Sequence, residues 1–156
     1  MINDEQGVSK VGGSKLRSYR IFKTSFDLEN YLLVLPFHER VVLTKIRISG
    51  HQLEIEKGRH HRPSPVPVNE RTCKLCVSGE IEDEEHFILG CGALASIREE
   101  YVERVSGFTN YSSRDQKGKF AFWLSGAKND TEIYKITGKF VSKLWEERER
   151  LLGAIK

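Results

Sequence analysis

The chain has 156 residues, 38% of them hydrophobic and 30% charged, a length and composition that suit one compact domain and argue against two. Twenty-five basic side chains against 22 acidic ones leave a formal charge of +3, too small by itself to name a polyanion as partner. No run approaches the ~18 apolar residues of a membrane span, and the opening MINDEQGVSK lacks the basic flank and apolar stretch of a secretory signal; the expected setting is intracellular, with no membrane partner.

Residues 1–13 are polar and carry three glycines, which predicts a disordered N-terminal tail ahead of a single domain over 14–156. From there Leu16, Tyr19, Ile21, Phe22 and Phe26 recur near helical spacing, with Ser14 placed to cap the first turn. The apolar cluster 31–35 reads as helix or strand and stops at Pro36. Beyond it Val42, Leu43, Ile46, Leu53 and Ile55 share one face, while Glu39, Arg40, Lys45 and Arg47 are expected to face water. A helix to about residue 49 follows, with a break at Gly50 and a second piece closed by Gly58 as a left-handed cap. Prolines 63, 65 and 67 make RHHRPSPVPVNER a stiff, extended approach to the cysteines.

After the cysteines, Leu94, Ile97, Tyr101 and Val105 predict a helix over Ala93–Val105, and GFTNYSS a loop. A short helix near 114–125 carries Phe120, Trp123 and Leu124. The clearest helix spans Thr131–Leu152, with Ile133, Ile136, Phe140, Leu144 and Leu151 on one stripe and Lys143, Glu146, Glu147 and Arg148 turned elsewhere. The expected fold is mainly α, a small helical domain with a central element around the cysteines at about 63–98 and at most a short β-hairpin there.

Three cysteines cannot all pair within one chain, and a disulfide scaffold carries a denser, even set. All three, Cys73, Cys76 and Cys91, fall within one 19-residue window, with His86 between the second and third. The pattern C-x2-C-x9-H-x4-C offers three thiolates and one imidazole, a complete tetrahedral set for a structural Zn2+ that leaves no position for a catalytic water. Val77, Ser78 and Gly79 give the first half room to reverse, and the second half reads as a helix, Glu82 to Leu89, ending at Gly90. Its first turn would hold the carboxylates of residues 82–85, where the helix dipole favours them. Competing readings are buried thiols beside an incidental histidine, a redox pair at Cys73 and Cys76 without the usual strand–helix context, and replacement of one ligand by His60 or His61.

The stretch LTKIRISGHQLEIEKGR, the spaced C-x2-C, EDEEHFILGC and the downstream Arg98 resemble the zinc-binding region that follows the polymerase domain in LINE-type, non-LTR retrotransposon reverse transcriptases. The likeness covers roughly residues 41–98. It implies a small helical element with a CCHC knuckle that helps hold template RNA or target DNA, with Cys73, Cys76, His86 and Cys91 as ligands and Arg47, Gly50 and His51 in the preceding helix motif. Two departures stand out: Gly92 replaces the proline common after the last cysteine, and the paired aspartates of a polymerase active site are missing from these 156 residues.

Two functions are therefore expected to compete. One is a zinc-dependent module binding RNA or single-stranded DNA through Lys57, Arg59, His60, His61, Arg62, Arg71 and Lys74, which lead into the knuckle. The other is a structural or protein-interaction module, a retroelement remnant included, in which zinc only stabilises the fold and Trp145 offers a contact. An enzyme is not expected. No phosphate-binding glycine loop, nucleophile elbow or H-E-x-x-H is present, and four consecutive carboxylates at a helix start point around most of its circumference and are usually solvated.

Overall fold

The structure, a computed structural model, describes residues 16–23, 25–107, 110–125 and 130–155; the expected N-terminal tail and the Ser14 cap lie outside the described residues. Helical periodicity resolves into α1 (Tyr19–Phe22), α2 (Tyr31–Val34), α3 (Phe37–Arg47), α4 (Glu54–Arg59), α5 (Ala95–Ser106), α6 (Gln116–Ser125) and α7 (Thr131–Ala154). No helix among the described residues is long and apolar enough to cross a membrane.

Helix α7 is the scaffold. Asp130 starts it by accepting the amides of Glu132 and Ile133 at 3.0 and 3.2 Å, which satisfies two donors that a helix start would otherwise orphan. Its apolar stripe receives α2, α3 and α5. Ile133, Phe140 and Leu144 of the expected stripe are buried, and Ile136 and Leu151 are half-buried at its edges. Aromatic rings fill the centre: Trp123 of α6 stacks against Phe140 at 4.3 Å, and its indole N–H donates to the Tyr111 hydroxyl at 2.9 Å.

The first predicted helix shrinks to one turn. After Phe22 the backbone becomes extended at Lys23, whose ammonium donates to the Asp27 carbonyl at 2.8 Å and pairs with Glu29 at 2.9 Å. Phe26 is left fully exposed. The 31–35 cluster is a helical turn, and Pro36, which has no amide hydrogen to lose, stands at the start of α3. The break after α3 falls where expected, and Ser49 there takes the left-handed conformation with φ 56°. Its hydroxyl donates to Glu84 Oε1 at 2.8 Å, an anchor that offsets the strain.

Arg47, expected to face water, is buried, and so is Arg148, which lies off the apolar stripe of α7. The Arg47 guanidinium lies over the rings of Phe22 (4.2 Å) and Tyr31 (4.7 Å), pairs with Glu29 at 2.6 Å and donates to the Leu124 carbonyl. One side chain thus gathers α1, α2, α3 and the end of α6, because its flat cation can stack on rings while its edge makes hydrogen bonds. Arg148 is buried against Glu82. Gly58 is a further correction. It lies inside α4, pressed on the Arg71 side chain, rather than capping the helix in a left-handed turn.

Candidate metal centre

The two halves of the Cys/His pattern are built differently. The first is a short antiparallel turn, with a single bridge between Thr72 and Ile81 and the Cys73 amide donating to the Glu80 carbonyl at 2.9 Å. The chain reverses through Gly79 at φ 73°, a conformation glycine adopts without steric cost. Val77 projects fully into solvent at the tip, and the turn directs Cys73 and Cys76 inward.

The second half is a helical turn beginning at Glu84 and widening to π geometry over His86–Gly90. Asp83 Oδ1 accepts the His86 amide at 2.8 Å and starts it. The Cys91 amide then donates to the His86 carbonyl at 2.7 Å, five residues back. This i→i+5 closure gives the x4 spacing its physical reason, since residues five apart lie beside each other in a π turn and would diverge in an α turn. Arg98 holds the far end, donating to the carbonyls of Ile88 and Cys91, both at 2.9 Å.

Cys73, Cys76, His86 and Cys91 accordingly come together, their ligand atoms all within 4.8 Å of one another. Cys73 Sγ is 3.8 Å from Cys91 Sγ, and Cys76 Sγ is 3.4 Å from His86 Nε2. Cys73, His86 and Cys91 are buried and Cys76 is half-buried. His86 Nδ1 donates to Glu80 Oε2 at 2.9 Å, which turns Nε2 toward the sulfurs. The four groups are soft or borderline donors of the kind that could bind a metal ion. Among the protons they otherwise hold, interaction with Cys91 and burial push the Cys73 thiol up to about 12, and interaction with the Cys73 sulfur raises His86 to about 9 against the effect of burial. Interaction with Cys73 lowers Cys91, while at Cys76 burial is outweighed by hydrogen bonds from Ser78 that lower the thiol. So many donors facing one point compete for protons, and a single divalent cation would replace them.

His60 and His61 stand apart from this cluster, His60 beside Glu56 at 3.8 Å and His61 beside the Ser64 carbonyl at 3.1 Å. The acidic run also departs from expectation, for it is mostly not solvated. Glu82 is buried on Arg148, and its Oε2 also accepts the Glu54 amide at 2.8 Å. Glu84 accepts from Arg17 (3.0 and 2.8 Å), Ser49 and His51 (both 2.8 Å). Burial would raise its carboxyl, but His51 and Arg17 hold it at about 2. Glu85 is half-buried and accepts from Gln116 at 2.7 Å. Nothing local in the sequence announces these partners, which come from positions 17, 49, 51 and 148.

The basic group divides. Lys57, His60, His61, Arg62 and Lys74 are exposed, and Arg59 is half-buried beside Glu56 at 3.4 Å. Arg71 is buried, its Nε donating to the Val66 carbonyl and Nη1 to the Ile55 carbonyl, both at 2.9 Å. Its guanidinium therefore ties backbone rather than offering a surface contact. An open groove beside His86 is lined by Glu80, Asp83, Glu85, Arg98 and Lys119, acids and bases together, which gives it no clear pull on a polyanion. Trp145, the aromatic singled out for a protein contact, is half-buried and packs edge-on against Phe87 at 5.9 Å. No protein-family model, curated protein or solved structure matches this chain.

Proposed function

We propose that the centre holds a structural Zn2+ and that the domain around it binds RNA or single-stranded DNA, as the likeness to the region following the polymerase of LINE-type reverse transcriptases implies. One observation carries the metal: zinc at about 2.3 Å from sulfur and about 2.0 Å from imidazole nitrogen makes tetrahedral edges of about 3.8 Å between sulfurs and about 3.5 Å from sulfur to nitrogen. Two of the six separations here are 3.8 Å (Cys73 to Cys91) and 3.4 Å (Cys76 to His86), and all four ligand atoms lie within 4.8 Å of one another. Four protein ligands close the coordination sphere, which favours a binding module over a catalyst.

Support for the nucleic-acid reading is the exposed set Lys57, His60, His61, Arg62 and Lys74 with Arg59, on the chain leading into the metal turn. Between residues 57 and 69 there is no carboxylate; those beside the set are Glu54, paired with Lys57 at 3.6 Å, and Glu56, beside Arg59 at 3.4 Å and His60 at 3.8 Å. Metal analysis of the purified protein and of Cys76→Ala, followed by anisotropy titration with a single-stranded oligonucleotide, tests both halves. The expected result is one zinc per chain, lost in Cys76→Ala, and an affinity that falls steeply with salt and weakens in Arg59→Ala/Arg62→Ala. Zinc without salt-sensitive binding would leave the second reading, a structural module. The burial of Glu82 and Glu84 against distant arginines favours that one, since it makes the metal turn a hub of the fold.

A further inference from the structure

The basic segment is not a loose strand laid over the surface. The Gly58 carbonyl accepts the amides of Val66 at 2.9 Å and His61 at 3.4 Å, so residues 59–65 form a loop closed on its own base. Arg71 locks that base. Its Nε donates to the Val66 carbonyl, its Nη1 to the Ile55 carbonyl one turn earlier in α4, and its aliphatic stem lies on Gly58. A Cβ at Gly58 would stand 2.7 Å from Arg71 Cγ and 2.8 Å from Cδ, so only glycine admits this packing. On its other side Arg71 belongs to the metal turn: its carbonyl accepts the Glu82 amide at 3.0 Å, and Cys73 is two residues on.

We propose that the closed loop 59–65 is a preformed contact for the phosphate backbone of single-stranded nucleic acid, and that Arg71 is the positioning residue that joins this loop to the metal turn. The inference rests on the nucleic-acid reading above and adds to it where the contact lies and what orders it. Backbone closure uses Gly58, the amides of His61 and Val66, and Arg71, while the side chains of His60, His61 and Arg62 stay exposed at the rim. Pro63 and Pro65 restrict the loop further. A loop ordered in advance binds without the entropy cost of ordering on contact. Glu56 is buried and engaged with Arg17 and Arg59; Glu70 is the exposed carboxylate that adjoins the base in sequence.

The test uses the full chain carrying its metal, with Arg71→Met, Gly58→Ala and Arg62→Ala, three readouts and a fluorescent single-stranded oligoribonucleotide as probe. Metal content reports the centre, limited trypsin cleavage after Arg59 reports loop closure, and anisotropy over a salt series reports binding. Arg71→Met is expected to keep its metal, to be cut at the loop much faster, and to bind about tenfold more weakly with an unchanged salt slope, since the exposed cations all remain. Arg62→Ala should keep Arg59 protected but reduce the slope by about 0.7. Should Arg71→Met lose its metal, Gly58→Ala decides instead, because it displaces the same side chain from the helix side. Wild-type affinity and slow cleavage in whichever variant retains metal would overturn the positioning role. Absence of RNA binding by the wild-type protein would overturn the loop as a nucleic-acid contact, while the cleavage rates would still decide whether Arg71 closes it.

Discussion

Arg148 and Glu82, 66 residues apart, form a buried two-pronged ion pair, Nε to Oε1 at 2.7 Å and Nη2 to Oε2 at 2.9 Å, with each side chain 2% exposed. It fastens the metal turn to α7. Replacing Arg148 with Met strands a carboxylate in the interior and is expected to cost about 3–5 kcal/mol in urea unfolding. Adding Glu82→Leu should recover part of that loss, because the pair is worth less than the penalty of breaking it; a double variant no more stable than Arg148→Met would refute this.

Glu80 orients His86 from outside the ligand set, its carboxylate at 2.9 Å from Nδ1 and 64% exposed. Glu80→Ala should weaken metal binding about tenfold in competition with a chromophoric chelator, the low end of such effects because water can take the carboxylate's place. By linkage the same tenfold loss should lower the stability of the metal-loaded protein by about 1.4 kcal/mol at fixed free metal. An unaltered metal affinity would show that the imidazole is held by packing alone.

How much of this was legible beforehand depended on whether the signal was local. The ligands Cys73, Cys76, His86 and Cys91 lie close in sequence and bear their chemistry openly, and the stripe Ile133, Phe140 and Leu144 repeats at helical period. Arg47, Arg148, Glu82 and Glu84 were hidden because polarity is the only sequence sign of burial. A charge whose partner is 18 to 67 residues away looks the same as one that faces water. Gly58 misled for a related reason: a glycine near a helix end suggests a cap, whereas here it makes room for Arg71.

Tyr111 supplies the hydroxyl that accepts the indole N–H of Trp123 within the aromatic centre, at 2.9 Å and out of reach of water. Tyr111→Phe leaves that donor unpaired and should cost about 1–3 kcal/mol, read by urea unfolding with tryptophan fluorescence. A neutral substitution would mean that the indole finds another acceptor.

Loss of metal should reach beyond the expected element at 63–98. Glu82 is tied to α7, and Glu84 to Arg17, Ser49 and His51, so releasing the turn from its ion disturbs both ends of the chain. Structural zinc in small peptides contributes about 10–16 kcal/mol, as much as a whole domain's net stability. Hydrogen exchange after chelation is expected to show α3 and the Arg148 end of α7 losing protection together with the metal turn. Full protection there would show the metal element unfolding alone.

X-ray absorption at the zinc edge counts the donors around an ion in the purified protein. Three sulfurs at about 2.3 Å and one imidazole nitrogen at about 2.0 Å are expected. A shell of oxygens, fewer than three sulfurs, or protein that takes up no zinc would contradict the proposed centre.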